Sequence, residues 1–178
     1  MIGGQACNDT DPHGCAGQSD EEYRTEFSFW SLASSPLLLA TDPRVLTPVM
    51  REALFNAELI AVNQAPPQPG MGLVYVRPAA CGGAQPCEVW VRPPGADGSH
   101  FAILFNPNDV GSPPVSIALE WADLGGLAPG ATARVRDLWR HADLGSFTGS
   151  YTTAADVAPH EARTLKVSAV RGRVSCPP

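Results

Sequence analysis

No cluster of lysine and arginine occurs in this chain, whose 12 basic residues are outnumbered by 18 acidic ones for a net charge of −6. That balance excludes a surface built to hold nucleic acid. No apolar run approaches the ~20 residues that cross a bilayer, so no membrane partner is expected. The opening residues, MIGGQACNDTDPHG, have neither a basic start nor an apolar core, and do not read as a signal peptide. A serine nucleophile elbow, a phosphate-binding loop and a metal-ligand triplet are all missing, so neither cofactor nor metal is expected. Charged residues are scarce at 17% while hydrophobic ones reach 44%. This excludes disorder of the highly charged kind and leaves a globular chain with a real core.

What is present begins with turns: 17 glycines and 18 prolines suit many short elements. There are five cysteines. Cys7 and Cys15 bracket one polar loop, and Cys81 and Cys87 bracket another, CGGAQPC. Two such loops suggest two local disulfides and an oxidising compartment, with Cys176 left over. Free buried thiols are the alternative. Zinc is not expected, because the spacings are wrong and His13 is the only histidine near a cysteine. Asn8-Asp9-Thr10 is a glycosylation triplet. Disulfides without an export signal are reconciled if the chain lacks its true beginning.

Ser19-Asp20-Glu21-Glu22 has the capping-box form and opens a helix whose Tyr23, Phe27 and Trp30 should face a core. Pro36 should end that helix. Pro36-Leu37-Leu38-Leu39-Ala40 is apolar throughout, as a parallel strand covered on both faces reads. Thr47-Pro48 then opens a second helical pattern running to about Val62. A lone buried strand lacks both a neighbour and a second layer, so this piece needs partners. After a linker at Pro66–Gly72 come seven strand candidates: Leu73–Arg77, Glu88–Arg92, Phe101–Asn106, Val115–Trp121, Ala131–Trp139, Phe147–Thr153 and Arg163–Val170. Turn signals separate them, HADLGS among these, and the pattern suggests an antiparallel β-sandwich.

Three stretches carry a family resemblance: DEEYRTEFSFWSLASSPLLLATDPR, REALFNAELIAVNQ, and EVWVRP through VRDLW and the late VAPH turn to LKV. They resemble the carboxy-terminal part of the melibiase family of α-galactosidases, the glycoside hydrolases that include α-N-acetylgalactosaminidases. The resemblance implies a mixed fold. Residues 1–65 would be the end of a (β/α)8 barrel, helix-strand-helix, with PLLLA as its last strand. Residues 66–178 would be an antiparallel Greek-key β-sandwich. A whole barrel takes roughly 250 residues, so about six strand-helix units would precede Met1. The family pattern is departed from at Ala65-Pro66, where Asp-Pro is common, and in the Cys7–Cys15 and AACGGAQPC segments.

The resemblance also implies a retaining glycosidase acting on an α-galactoside, in a secreted, lysosomal or vacuolar setting. Its two catalytic aspartates map to earlier strands, so no catalytic residue is carried onto this chain. Asp42 would lie on the catalytic face but reads as a cap beside Arg44. Asp20, Glu21 and Glu22 read as helix-start acids, and Asp9, Asp11 and His13 as a solvated loop. Asp137 and Asp143 fall within the sandwich. Trp139 reads as a strand aromatic buried in the sandwich, and His160 as a turn residue bonded to backbone. A contrasting reading is a non-catalytic carbohydrate-binding module using Trp90 or Trp139. If the barrel is absent, Phe27, Phe29, Trp30 and Leu37–Leu39 should stand exposed.

Overall fold

The computed structural model describes residues 18–39, 42–65 and 72–170. Cys7, Asn8, Cys15, Cys176, the Asp9–His13 loop and linker residues 66–71 lie outside them.

Helix α1 spans Asp20–Leu32. The expected capping box closes it: the Glu22 N–H donates to Ser19 Oγ, and the Ser19 N–H donates to Glu22 Oε2 at 2.8 Å. Pro36 does not end it. Ser34, at φ 52°, turns the backbone left-handed, and the Ser35 N–H returns to the Trp30 carbonyl at 3.2 Å. The Ser34 N–H meets the Ser31 carbonyl likewise, which completes a Schellman closure, and the last helical residue, Leu32, lies four positions before the proline. Among the described residues Pro36–Leu39 runs without a ladder partner and is not a strand, and Ala40, the last residue of the expected strand, lies outside them. The reason is the one its composition announced: strand pairing needs a neighbour, and the described strands are all engaged elsewhere.

The second helical pattern is two helices. Thr47 caps α2, Pro48–Leu54, through the Met50 N–H at 3.3 Å, and α3 follows at Ala57–Gln64. Asn56 makes the break, as its Oδ1 accepts the N–H groups of Glu58 and Leu59 at 3.1 and 3.0 Å.

Eight strands follow: β1 Val74–Ala79, β2 Cys87–Arg92, β3 His100–Phe105, β4 Ala118–Glu120, β5 Thr132–Asp137, β6 Ala142–Thr148, β7 Ser150–Thr152 and β8 Ala162–Ala169. All pairings are antiparallel. The large sheet has the order β1-β2-β3-β8-β5-β6, and β4 pairs β7 in a small one. Two readings need correction. HADLGS is not a turn but most of β6, an outer strand whose exposed alternation carries little apolar signal. The expected strand Val115–Trp121 shrinks to β4, with a single bridge from Val115 to Val157 and a 3-10 turn at Trp121–Leu124.

Two cores lie on opposite faces of the large sheet. One, holding Trp121, Ile117, Leu119 and Val135, fills the space against the small sheet. The other joins Tyr23, Phe27, Leu32, Met50, Ala53 and Leu59 of the helices to Phe101, Ile103, Leu138 and Trp139. Strand β3 serves both. Phe101 and Ile103 face the helices while Ala102 and Leu104 face the sandwich core, the period-2 alternation of a strand covered on each side.

Candidate functional site at the helix–sandwich junction

Trp139, Glu22 and His160, all singled out from the sequence, meet at the seam between the helices and the sheet. Trp139 is buried at 9% exposure, but not in the sandwich core and not on a strand. It occupies the turn after β5, packs edge-on against Phe27 with centroids 6.2 Å apart, and donates from Nε1 to Ser28 Oγ at 2.8 Å. Ser28 Oγ also accepts from Thr164 Oγ1 at 2.7 Å and donates to the Arg24 carbonyl at 2.7 Å. This small, buried cluster has its polar atoms satisfied. Asn56 adds a second tie, its Nδ2 donating to the Leu138 carbonyl at 3.0 Å. Arg92, on β2 and buried, donates to the carbonyls of Val62 and Ala65 at the end of α3.

Two histidines bridge the seam as well. His160 does not use its ring on backbone, as expected, but sets Nδ1 2.7 Å from Glu22 Oε1 on α1. His141 sets Nδ1 2.6 Å from Glu58 Oε1 on α3, where Arg136 donates to both carboxylate oxygens at 2.7 and 2.8 Å. Both histidines have left-handed backbone, at φ 61° and 51°, a conformation that non-glycine residues adopt at a cost.

The bonds to Ser19 backbone first, then His160, hold the Glu22 carboxyl below the usual range. Arg136 chiefly, helped by His141, does the same for Glu58 against the opposing effect of burial. Both folded-state values are therefore lower than the unfolded ones. The stabilisation is fully present above the unfolded glutamate value of about 4.3, and is lost as pH falls through the lower folded values. Glu58→Gln should cost about 1 kcal/mol at neutral pH, given how open the pair is, and much less at pH 3. Urea midpoints of both proteins across that range check this, and equal losses at both pH values would refute it.

Three other singled-out carboxylates, Asp42, Asp137 and Asp143, have structural partners. Asp42 accepts the Arg44 N–H at 2.9 Å and grips its guanidinium, as a cap should. Asp137, buried, takes the Trp139 and Arg140 N–H groups at 2.9 Å each, and Asp143 pairs with Arg136. Cys81 and Cys87 form a disulfide with Cα atoms 5.8 Å apart. Among the described residues no group of three or more His, Cys, Asp or Glu could hold a metal ion, and no helix is long and apolar enough to cross a membrane.

Apolar exposure is uneven. Phe27 is buried and Phe29 packs on Trp90 and Phe105 at 5.4 and 5.8 Å, so both face the sandwich rather than solvent. Trp30, in the last turn of α1, does not join that core. It is 42% exposed and borders an open apolar depression shared with Leu37, Leu38 and Leu39, where Leu38 is 64% and Leu39 48% exposed.

Sequence reasoning missed Ser28, Asn56 and Arg92. Only Asn56 carried a local signal, an asparagine directly before Ala-Glu-Leu, in keeping with a helix start.

Fold and seam together define a two-layered sandwich module with a helical layer sealed to its outer face. A family model described as the α-galactosidase C-terminal β-sandwich domain matches residues 84–167, and one described as α-galactosidase A matches residues 2–65. Relatives include α-galactosidase 3 of Arabidopsis thaliana, 39% identical over 145 residues, with 80% of this chain and 31% of that protein covered. The α-galactosidase of Cyamopsis tetragonoloba is 34% identical over 143 residues, with 80% of this chain and 32% of the relative covered. Crystal α-galactosidase I from Mortierella vinacea superposes with a TM-score of 0.66 at 29% identity, over 86% of this chain and 37% of that one. The chain belongs to the melibiase family of α-galactosidases, as its carboxy-terminal part. It spans about a third of the length of the curated relatives it matches.

Proposed function

We propose that this chain is the carboxy-terminal portion of a retaining α-galactosidase that hydrolyses terminal α-D-galactosyl residues of oligosaccharides or glycoconjugates. A retaining mechanism needs two carboxyl groups about 5–5.5 Å apart, one nucleophile and one acid/base. In this reading both sit on barrel strands encoded upstream of Met1, and the chain by itself is inactive. Residues 1–65 close the barrel and residues 66–178 form the sandwich that buttresses it. The observation that carries the reading is the match of residues 2–65 and 84–167 to two adjoining parts of that family. The structural engagement of Asp42, Asp137 and Asp143 supports it too. The Cys81–Cys87 disulfide favours a secreted, lysosomal or vacuolar setting.

A free carbohydrate-binding module is less well supported. Trp139 is buried, and the Trp90 ring is flanked edge-on by Phe29 and Tyr75 at 5.4 and 5.1 Å. Neither ring stands free of the fold, Trp90 being half-buried with both neighbours in contact.

Release of an aryl group from an aryl α-galactoside tests the proposal. This chain should release none, and a version extended upstream in the same frame should turn the substrate over. Turnover by the purified chain alone, or an extended chain without activity, would overturn it.

A further inference from the structure

His100, the first residue of β3, is 4% exposed and takes no part in the seam. It precedes Phe101, which faces the helices, so strand alternation turns it to the sandwich side. There it lies beneath a lip formed by the 3-10 turn at Trp121–Leu124 and the glycine pair that follows. A Cβ built on Gly126 would stand 3.9 Å from the ring's Cε1. Gly125 and Gly126 take φ 35° and 90°, and buried Leu124 and Leu127 hold the lip on the core at either side of them. Nδ1 of His100 is buried without a hydrogen-bond partner. The charged groups on the surrounding elements have partners of their own. Asp123 of the lip takes the Arg77 guanidinium of β1 at 2.9 Å through each oxygen, and Asp97, in the turn before β3, takes Lys166 of β8 at 3.1 Å. Glu120, directly before the lip, is exposed.

A neutral ring is tolerated in such a place. A protonated one would bring an unpaired charge, and an Nδ1–H without an acceptor, into the core. We propose that His100 is an acid-sensitive latch: proton uptake by its ring lifts the lip Trp121–Leu127 and opens this end of the sandwich core, while the helix seam stays closed. Burial pushes the His100 pKa down, against a smaller opposing effect of the Leu124 backbone. Its folded value therefore lies below the unfolded one of about 6.5. The stabilisation is complete above that pH and is lost as pH falls from there through the folded value. The seam answers to a lower range, since Glu22 and Glu58 lose their charge only below the ordinary glutamate value of about 4.3. Mild acid thus acts on the lip and spares the seam. This device goes beyond the reading under Proposed function and does not depend on it.

The test follows the whole chain by NMR as it is brought from pH 7 to pH 5. The His100 Cε1–H resonance, assigned through its proximity to Gly126, should titrate with a midpoint below about 6.5. Amide exchange across Trp121–Leu127, corrected for the intrinsic pH dependence, should accelerate about tenfold, because the ring regains its ordinary proton affinity once the lip is open. Amides of α1 and α3 should keep their corrected rates. In His100→Gln, where nothing titrates at that position, the acceleration should vanish. A ring midpoint at or above about 6.5, level exchange in the lip between the two pH values, or equal acceleration in the glutamine variant overturns the proposal. Where that variant does not fold, ring titration and lip exchange in the parent chain must share one midpoint, and midpoints more than about one pH unit apart overturn it as well.

Discussion

Replacing Trp139 by alanine should remove about 4 kcal/mol of stability and loosen the helices before the sandwich unfolds. The indole is nearly fully buried between α1 and the turn after β5, in contact with Phe27. Its loss opens a cavity in the seam and removes one of the donors to Ser28. Because whole domains are stable by only about 5–15 kcal/mol, a loss of this size is a large fraction of the total. The sandwich core shares no buried residue with the seam, so it should survive. Urea unfolding followed by circular dichroism should then split, with helical signal fading ahead of the fluorescence of buried Trp121. Trp139→Phe keeps the ring packing and gives up the Nε1 bond, for about 1 kcal/mol. A single transition at the parent midpoint in the alanine variant would show that the seam is not held there.

Asn56→Ala should be nearly as severe, at about 3 kcal/mol. Loss of the cap to Glu58 and Leu59 contributes about 1 kcal/mol. The stranded Leu138 carbonyl, in a buried position, contributes about 1–3 more. Asn56→Asp separates the two roles. Aspartate still caps α3, but it cannot donate to Leu138 and brings negative charge to a carbonyl. It should therefore stay close to alanine in stability, although aspartate is among the best caps in isolated helices. An aspartate variant with parent-like midpoint would mean that only the cap matters. Since Leu138 adjoins Trp139, the two alanine substitutions should fall short of additivity when combined.

These two residues also show where the sequence stops being readable. Capping of α1 by Ser19 and of α2 by Thr47 depends on residues three positions away, and both were legible. So were the apolar strands of the large sheet, because alternation reports burial directly. The tie from Asn56 to the sheet depended on a carbonyl 82 residues along the chain, and the location of Trp139 on a serine 111 residues away. No local pattern encodes such partners. Strand β6 was hidden for a different reason: it is an exposed outer strand with Gly145 at φ 119°, so both its polarity and its glycine imitate a turn. Leu37–Leu39 was legible as two-sided apolar sequence, but composition sets what a strand needs and cannot supply the neighbours that make it one.

Arg92 has a consequence for how this chain can vary. By gripping the carbonyls of Val62 and Ala65 it pins the last turn of α3 to the sheet from within β2, while β1 is registered independently against β2 from Val74 onward. Both banks of the crossing between residues 65 and 72 are thus moored to the same strand. A span of different length or sequence between them should therefore leave the layers on either side in their mutual pose.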